Sequence, residues 1–579
     1  MKRLFPLLLL IVSITASAVE RENIWPKGKM PDRQSGQSAV MTDDARRMPK
    51  DALKQSEAYL EWFDAPAKDV RKNVCMILVP GGAYEYCSTN YIEEWNRKLT
   101  AEGIQCVNLV YRTPRPQGLP IYQTAWEDAQ RAVRMVRSEA KRRGFDPERI
   151  GAVGMSAGSH LALLMAANSQ TRAYAPVDKL DSVDCHINWA ILHAPAYVTT
   201  DSEFGTTSSR QGYGIDVKLS SAFKFDSKTC PMSLHHGGLD PYSPNGSTLI
   251  YRQLRRMGVP AELHILPNIT HRARALERGI EFMRQMGFLG KPEAEVALME
   301  RFTSDEARKE HITEDIWPEG KMPDEQANQC KPYIEWHIPK VLRTRAIQII
   351  YSGGAYQYSK PEDFEVAPIR RYLNEQGMAV VTMHYRTPRP SKASGLAKHT
   401  TAWQDLQRAI RIVRSEAAGH GLCKDSIGIM GSSAGGHLTL MGVTSSMHQS
   451  YNPIDAIDKL PCNVQWGIAI YPAYVLTDGL DGQNRGKGND DSAMLSPDFS
   501  FDLRTAPTLF LHGDADEYSS MGSVKVWEKM RSMGIQSELH TLATRSHCFQ
   551  KTASPGTGSY TWLDRIKDFL QTTMRLRLE

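Results

Sequence analysis

Two serines lie in a pattern that makes a serine side chain nucleophilic. Gly154–Gly158 and Gly431–Gly435 both read G-x-S-x-G, with Ser156 and Ser433 at their centres. The flanking glycines let the chain turn sharply from a strand into a helix, which exposes the hydroxyl above a sheet. A serine attacks a carbonyl carbon only when a base removes its proton. The two motifs therefore predict two nucleophiles, each of which needs a base.

An aspartate and a histidine follow each serine, in the same order and at spacings that agree to within one residue. A histidine can act as the general base, and an aspartate can hold the imidazole in the required tautomer. The predicted catalytic residues are Ser156, Asp240 and His271 in the first copy and Ser433, Asp516 and His547 in the second. The second copy also contains Asp514, but Gly238 stands at that place in the first copy, which favours Asp516 as the acid.

Attack on a carbonyl produces an oxyanion, which needs backbone N–H donors that are already in place. One donor is expected from the residue after each nucleophile, and others from a glycine-rich turn that follows an early strand, Pro80–Tyr84 or Ser352–Tyr356. The predicted oxyanion donors are Gly82, Ala83 and Ala157 in the first copy and Gly354, Ala355 and Ala434 in the second.

The whole unit that carries these residues occurs twice. Ile24–Asp32 recurs with small changes as Ile316–Asp324, and Tyr111–Pro116 recurs unchanged as Tyr385–Pro390. A repeat of this size is a complete domain, because solenoid and propeller repeats are only about 20–50 residues long. The predicted organisation is a signal peptide at 1–18, a first domain at 19–295, a linker at 296–312 and a second domain at 313–579.

Short apolar runs alternate with amphipathic helical segments in each copy. The predicted strands are 73–79, 105–111, 150–153 and 232–236 in the first copy and 345–351, 379–385, 427–430 and 508–512 in the second. Apolar runs of this length are typical of parallel strands buried on both faces. The long helices are predicted to begin at capping boxes, Thr124–Glu127 and Thr401–Gln404. The predicted fold class is α/β, with a doubly wound, mostly parallel sheet flanked by helices in each copy.

Composition restricts the partners and the location of the chain. Its 579 residues carry a net charge of +5 without a dense basic run, so nucleic acid is not a predicted partner. Lys2 and Arg3 precede an apolar run, Leu4–Ile14, and an A-x-A cleavage site. This pattern predicts a signal peptide, and hence an exported protein that begins near Val19 and has no stable membrane anchor.

Cysteine and histidine placement indicates neither a metal nor a cofactor. Only Cys185 and Cys462 occupy equivalent places, so most of the nine cysteines are predicted to be core thiols, with one bridge from Cys75 to Cys87 or Cys106 left open. No Cys or His cluster has the sequence spacing of metal ligands. No cofactor is predicted, and no oligomeric state follows from the sequence.

The motifs G-G-A-Y, G-x-S-A-G and H-G-x-x-D resemble those of the α/β-hydrolase superfamily. Ser433–His437 and Tyr471–Tyr474 are more specifically similar to bacterial esterases that remove acetyl or feruloyl groups from xylan. The resemblance implies two tandem α/β-hydrolase domains, an acyl-enzyme at each serine, and an acylated carbohydrate as substrate, with acetyl favoured over feruloyl. The first copy departs from this pattern at Ser159, in place of a glycine, and has His193 where the second has Tyr471.

Other functions are compatible with the same residues. A peptidase of the prolyl-oligopeptidase type shares this sheet and triad, but no propeller repeat of about 40 residues is present. Lipase action is less favoured because no long apolar lid is evident. A third alternative is one catalytic copy beside a degenerate copy that holds glycan. Asp201–Asp226 and Asp478–Asp502 diverge most between the copies and are the predicted specificity loops.

Several polar residues near the motifs are assigned structural roles. Arg112 and Arg386 are interpreted as loop residues in preference to ligands for a sugar or uronic acid. His160 and His437 follow the serines by one helical turn and are interpreted as packing residues in preference to alternative bases.

Overall fold

The computed structural model describes residues 20–33, 52–53, 56–68, 70, 72–202, 217–272, 275–289, 312–360, 362–477, 493–552 and 557–578. The predicted signal peptide lies outside the described residues, as do residues 296–311 of the predicted linker. The same holds for 203–216 and 478–492, which form much of the two predicted specificity loops. Within the described ranges, no helix is long and apolar enough to cross a membrane.

Strands and helices alternate along most of the described chain. The strands are β1 (Glu20–Asn23), β2 (Ala52–Leu53), β3 (Tyr59–Trp62), β4 (Cys75–Val79), β5 (Cys87–Ser88), β6 (Gln105–Val110), β7 (Ile150–Met155), β8 (Trp189–His193), β9 (Met232–Gly237), β10 (Ala261–Leu266), β11 (Ile312–Asp315), β12 (Tyr333–His337), β13 (Ile347–Tyr351), β14 (Ala379–His384), β15 (Ile427–Ser432), β16 (Trp466–Ile470), β17 (Thr508–Gly513) and β18 (Glu538–Leu542). The α-helices are α1 (Ile92–Ala101), α2 (Gln123–Arg143), α3 (Ala157–Ala167), α4 (Asn245–Arg256), α5 (Leu276–Gln285), α6 (Ala367–Glu375), α7 (Thr400–Glu416), α8 (Ala434–Thr444), α9 (Met521–Ser532), α10 (Phe549–Thr552) and α11 (Trp562–Asp568).

One sheet of 16 strands runs through both copies, in the order β1-β3-β6-β4-β7-β8-β9-β10-β18-β17-β16-β15-β13-β14-β12-β11. The central strands of each half are parallel, whereas β3 and β12 pair antiparallel with both of their neighbours at the outer edges. The halves meet where β10 pairs antiparallel with β18. The mostly parallel sheet confirms the predicted α/β class, and its palindromic order follows from the duplication.

Helices cover both faces of the sheet. In β4, Cys75, Ile77 and Val79 pack in a core with α2 and α3, whereas Met76 and Leu78 pack in a second core with α1 and α5. Because both faces are buried, such strands are apolar throughout and can be recognised as continuous runs. Each of the eight predicted runs coincides with a strand to within two residues at either end. The doubly wound arrangement is therefore confirmed.

The predicted capping boxes are wrong. In the first copy α2 begins at Gln123, so Thr124 lies inside the helix, and the N-cap side chain makes no capping hydrogen bond. Glu127 instead accepts a hydrogen bond of 2.7 Å from a buried guanidinium, that of Arg112. The second copy behaves alike, since α7 begins one residue before Thr401. In both copies the last residue of the predicted box bonds to a buried guanidinium, Glu127 to that of Arg112 and Gln404 to that of Arg386, and water can satisfy the exposed helix end.

A buried arginine in each copy joins three segments of the chain. Arg112 Nε donates to Asp128 at 2.9 Å, and Arg112 Nη1 donates to the carbonyl of Pro31 at 2.7 Å. Trp25 Nε1 donates to the same aspartate at 2.6 Å, which attaches the N-terminal Trp-Pro segment to α2. The same contacts recur among Arg386, Asp405, Pro323 and Trp317. These partners agree with the structural role predicted for the arginines and explain why the Trp-Pro segment is repeated.

The interface between the copies is centred on the β10–β18 pair. His264 Nδ1 and His540 Nδ1 lie 2.8 Å apart, and their Nε2 atoms lie 3.1 and 2.6 Å from Glu262 and Glu538. Burial raises the pKa of both glutamates to about 8 and holds the pKa of both histidines well below the ordinary value. These four side chains are therefore largely uncharged at neutral pH.

All nine cysteines are free thiols, so the bridge left open from the sequence is not formed. Cys75 and Cys106 lie on the neighbouring strands β4 and β6 and are fully buried. Cys87 Sγ donates to the carbonyl of Tyr111 at 3.6 Å. These thiols act as small apolar core residues, as predicted.

Candidate active sites

Each candidate nucleophile occupies the sharp turn between a strand and a helix. Ser156 is the single residue between β7 and α3, with φ 58° and ψ −121°. Ser433 has nearly the same conformation, φ 55° and ψ −118°, between β15 and α8. A Cβ added at Gly158 would lie 2.2 Å from the carbonyl oxygen of Val79, so the helix can start this close to β4 only with glycine there.

Ser156, His271 and Asp240 form a hydrogen-bonded chain in the first copy. Ser156 Oγ lies 2.7 Å from His271 Nε2, and His271 Nδ1 lies 3.0 and 2.9 Å from the two carboxylate oxygens of Asp240. Because a carboxylate only accepts hydrogen bonds, Nδ1 carries the proton and Nε2 accepts from the serine hydroxyl. The imidazole side chain is 30% exposed, so a substrate can reach it.

The second copy repeats this geometry. Ser433 Oγ lies 2.8 Å from His547 Nε2, and His547 Nδ1 lies 2.9 Å from each carboxylate oxygen of Asp516. Asp514, the other aspartate of this loop, accepts a hydrogen bond of 3.0 Å from Arg255 of the first copy. The structure therefore brings Asp516 to the histidine and places Asp514 at the interface between the copies.

Both candidate acids are buried and ionised. Burial alone would raise the pKa of Asp240, but hydrogen bonds from His236 and His271 outweigh it and hold the pKa well below its usual range. The balance is the same for Asp516, whose pKa is lowered to about 2. The histidine of each H-G-x-x-D motif therefore stabilises the carboxylate that orients the candidate base.

Two of the predicted oxyanion donors open the helices that follow the serines. Ala157 is the first residue of α3 and Ala434 is the first residue of α8. N–H groups in the first turn of a helix have no acceptor within the helix, and the helix dipole places partial positive charge there. The positive N-terminal end of the helix would stabilise an oxyanion formed at the adjacent serine.

The other predicted donors lie in loops that run directly beside the serines. Gly82, Ala83, Gly354 and Ala355 all have positive φ, at 125°, 56°, 79° and 53°. A Cβ added at Gly81, which precedes this pair in the first copy, would lie 3.2 Å from Cβ of Ser156. Alanine with positive φ is strained by about 1–2 kcal/mol, so contacts around the loop must hold it there.

A tyrosine–histidine hydrogen bond fixes each of these loops to the nucleophile helix. Tyr84 Oη lies 2.7 Å from Nδ1 of His160 in α3, and Tyr356 Oη lies 2.9 Å from Nδ1 of His437 in α8. All four side chains are buried. The two histidines therefore hold the loops that carry the predicted oxyanion donors, which is more than the packing role assigned to them from the sequence.

The two sites differ behind the oxyanion loop. The N–H of Gly81 donates to Tyr91 Oη at 2.6 Å, whereas the N–H of Gly353 donates to the carboxylate of Glu365 at 2.8 Å. Tyr471 Oη donates to the second oxygen of Glu365 at 3.0 Å, and burial raises the pKa of this carboxyl group. Sequence reasoning missed Tyr91 and Glu365 because neither lies in a motif or occupies a repeated position.

The alignment of His193 with Tyr471 is wrong. The N–H of each nucleophilic serine donates to a carbonyl of the neighbouring strand, which belongs to His193 in the first copy and to Ile470 in the second. These residues are therefore equivalent, and Ala194 corresponds to Tyr471. Ser159, the other departure in the first copy, donates its hydroxyl to the carbonyl of His193 at 2.7 Å, so the serine is accommodated without loss of the turn.

A serine on a strand–helix turn, a histidine bonded to it and a buried aspartate, all on a doubly wound sheet, define an α/β-hydrolase. Here the arrangement is present twice. The BD-FAE family model matches residues 63–202 and 337–529, which together make up more than half of the chain and include parts of both copies. The chain belongs to the BD-FAE family of esterases and hydrolases.

Curated relatives match shorter segments. A segment of 100 residues is 31% identical to endo-1,4-beta-xylanase B of Butyrivibrio fibrisolvens and covers 17% of this chain and 16% of the xylanase. A segment of 113 residues is 31% identical to the acetylxylan esterase of Xylanibacter ruminicola and covers 19% of this chain and 22% of the esterase. The matches thus span less than a quarter of either relative.

Similar solved structures include esterases that match less than half of this chain. An acetyl ester-xyloside bifunctional hydrolase from Caldicellulosiruptor lactoaceticus has 23% identity and a TM-score of 0.36, with 47% of this chain and 98% of that chain covered. The esterase Est2 of Thermogutta terrifontis with bound butyrate has 22% identity and a TM-score of 0.34, with 41% and 92% covered.

Proposed function

We propose that this chain is an exported serine esterase with two catalytic sites, which remove O-acyl groups, chiefly acetyl, from a polysaccharide or oligosaccharide. One observation carries the proposal: each copy holds serine, histidine and aspartate in a continuous hydrogen-bonded chain, with the serine oxygen 2.7 or 2.8 Å from the imidazole. Membership of the BD-FAE family favours an ester over a peptide as the bond that is cleaved.

The reaction begins when Ser156 Oγ attacks the acyl carbonyl carbon while His271 Nε2 takes the hydroxyl proton. The N–H groups of Gly82, Ala83 and Ala157 receive the oxyanion. The imidazolium then gives its proton to the departing sugar oxygen, which leaves the acyl group bound to the serine. A water molecule, deprotonated by the same histidine, releases the acid and restores the serine. The second site follows the same steps.

The names of two relatives and the first residues of the chain support the proposed substrate class. Two relatives carry the names acetylxylan esterase and endo-1,4-beta-xylanase, which favours acetylated xylan or a similar polysaccharide. Feruloyl esters are the second choice. The signal-peptide pattern around Leu4–Ile14 supports export, which would bring the enzyme to a substrate too large to enter a cell.

Acetate release from acetylated xylan and from an aryl acetate tests this function. The intact protein is compared with Ser156→Ala, Ser433→Ala and the double variant. Each single variant should keep part of the activity, and the double variant should lose at least about 10³-fold in turnover. A double variant that keeps wild-type turnover would refute the mechanism. Aryl acetate cleavage without acetate release from xylan would refute the substrate. Complete loss in one single variant would make the other copy a scaffold or a binding domain.

A further inference from the structure

Three side chains converge on one point beside the second site. Single ligand atoms of His399, His437 and Asp498 all lie within 4.8 Å of one another. Asp498 Oδ2 lies 3.4 Å from His437 Nε2 and 3.7 Å from His399 Nδ1. His399 precedes α7, His437 lies in α8 and Asp498 lies in the loop before β17, so their spacing in the sequence gave no sign of a cluster.

Two nitrogen atoms of this cluster face the carboxylate of Asp498 at 3.4 and 3.7 Å without a well-formed hydrogen bond. His437 is fully buried, and neither its Nε2 nor Nδ1 of His399 has a hydrogen-bond partner among the described residues. A buried polar atom without a partner is unfavourable, and such an atom calls for a ligand or an ion. Ligand atoms at about 2.0–2.2 Å from a tetrahedral zinc ion lie about 3.3–3.6 Å from each other, close to the two spacings around Asp498.

We propose that His399, His437 and Asp498 bind a Zn²⁺ ion in the second copy. Two imidazoles and one carboxylate are ligands that zinc prefers, and three protein ligands leave the fourth position to water. The proposal does not rest on the esterase reaction proposed above, because none of the three ligands belongs to the Ser433 triad.

A hydrogen bond to Tyr356 orients His437 for binding the metal. Its Nδ1 lies 2.9 Å from Tyr356 Oη, so Nδ1–H can donate to the phenol oxygen while Nε2 presents its lone pair to the metal. Metal-binding histidines usually have such a partner on the second nitrogen. Since Tyr356 belongs to the oxyanion loop, a bound ion would hold α8, the start of α7 and the segment around Asp498 together beside the second site.

Lys398 contributes a positive charge that opposes the ion. Its Nζ lies 3.8 Å from the centre of the Tyr474 ring, and its charge acts on His437. Removal of this charge by Lys398→Met should tighten zinc binding. Weaker or unchanged binding in Lys398→Met would contradict the assigned position of the ion.

The first copy provides a matched control. There Tyr122 stands in place of His399 and Ala222 in place of Asp498. Of the three equivalent positions, only that of His160 still carries a side chain that can bind zinc. The Tyr122 and His160 rings lie 5.2 Å apart, close to the 5.4 Å between the two imidazole rings in the second copy. The two pairs of rings are therefore similarly placed, and the copies differ here in the chemistry of the side chains.

Zinc stoichiometry of the intact, untagged chain tests the proposal. The protein is stripped with a chelator, reloaded with Zn²⁺ alone, passed through gel filtration, and measured by inductively coupled plasma mass spectrometry and by calorimetric titration. We expect one zinc ion per chain. The variant His399→Tyr/Asp498→Ala, which carries the residues of the first copy, should bind none at this site, and Tyr122→His/Ala222→Asp should raise the number to two.

Wild-type protein that retains no more zinc than the His399→Tyr/Asp498→Ala variant would overturn the proposal. Asp498→Asn separates loss of a ligand from loss of the fold, because it keeps the size of the side chain. Loss of a residue that only hydrogen-bonds to a metal ligand lowers metal affinity by about 10–100-fold. Because Asp498 is itself a proposed ligand, Asp498→Asn should lower zinc affinity by more than this. Its thermal transition without zinc should equal that of the wild type, and wild-type zinc affinity in this variant would also refute the site.

Discussion

Asp514 and Asp516 lie two positions apart in one loop and contact different halves of the molecule. Asp516 accepts from His547, whereas Asp514 accepts from Arg255 and Tyr251 of the first copy. In a background of Ser156→Ala, Asp516→Asn should lower the turnover of the second site by about 10⁴-fold, because the imidazole would be held in the wrong tautomer. Aryl acetate hydrolysis measures this loss.

Asp514→Asn is the matched control for this change. It removes the same charge from the same loop but leaves the contact with His547 intact, so turnover should remain near that of the parent variant. Equal losses in the two variants would contradict the assignment of the acid.

Substitution of Arg112 tests whether this arginine has a structural role or binds the sugar. Its guanidinium is buried against Asp128 and Glu127, so Arg112→Met leaves two carboxyl groups without their counter-charge. We expect a loss of about 3–5 kcal/mol in the free energy of unfolding, measured in urea, with an unchanged KM for acetylated xylan. Arg142→Met, where the guanidinium is 58% exposed, should be nearly neutral. A raised KM at unchanged stability would indicate a sugar-binding arginine.

The residues of the triads could be chosen from the sequence because the duplication supplied two versions of one pattern. Asp514 could be excluded as the acid because the first copy has Gly238 at the same position. Glu365 and Asp498 could not be found in this way. Each comes from a segment that differs between the copies, and each meets its partners through tertiary packing that no local spacing records. The sites were thus predictable where chemistry requires a motif and unpredictable where side chains from distant segments meet.

At the level of elements, the turn from β7 into α3 depends on a glycine that packs against β4. Gly158→Ala would place a Cβ 2.2 Å from the carbonyl oxygen of Val79, which forces the start of α3 away from the sheet. We expect a loss of about 1–3 kcal/mol in stability. We also expect a fall of about 10²-fold in turnover at Ser156, because the nucleophile moves with the helix.

Turnover in a Ser433→Ala background measures the effect of Gly158→Ala on the first site alone. Gly419→Ala is the control, because its Cβ would come no closer than 3.3 Å to the nearest atom outside its neighbours. If Gly158→Ala retained the turnover and thermal transition of the parent, the close approach of helix and strand would not position the nucleophile.

Strands were easier to predict than helix starts, for a physical reason. The central strands are buried on both faces, so their apolar runs stand out in the sequence. In α2, Thr124 and Glu127 have the spacing of a capping box in the sequence, but Glu127 pairs with the buried Arg112 instead.

At the level of the whole molecule, the continuous sheet makes its centre sensitive to pH. Glu262 and Glu538 have a pKa of about 8 in the folded chain, against an ordinary value of 4.5. The folded chain holds these protons more tightly than the unfolded chain does. The resulting contribution to the free energy of unfolding is complete below about pH 4.5 and is lost as pH rises through 8. His264 and His540, whose pKa lies well below 6.5, act in the opposite sense, and their contribution is lost only as pH falls below 6.5.

Between pH 6.5 and 8 the glutamates therefore set the trend at the interface. The Tm should fall across this range, with a loss of up to about 1.4 kcal/mol per pH unit for each carboxyl group. Glu262→Gln/Glu538→Gln, which cannot ionise, should show a flatter profile in differential scanning calorimetry. An equal slope in the wild type and the double variant would show that these carboxyl groups do not titrate as described.

The count of reactive serines per chain tests the central claim, that both copies hold a working nucleophile. A fluorophosphonate probe reacts with a serine only when its histidine activates it. Intact-mass measurement should show two adducts on the wild-type chain, one on Ser156→Ala, one on Ser433→Ala and none on the double variant. Peptide mapping should place the adducts on Ser156 and Ser433. A single adduct on the wild-type chain, or none, would contradict the account.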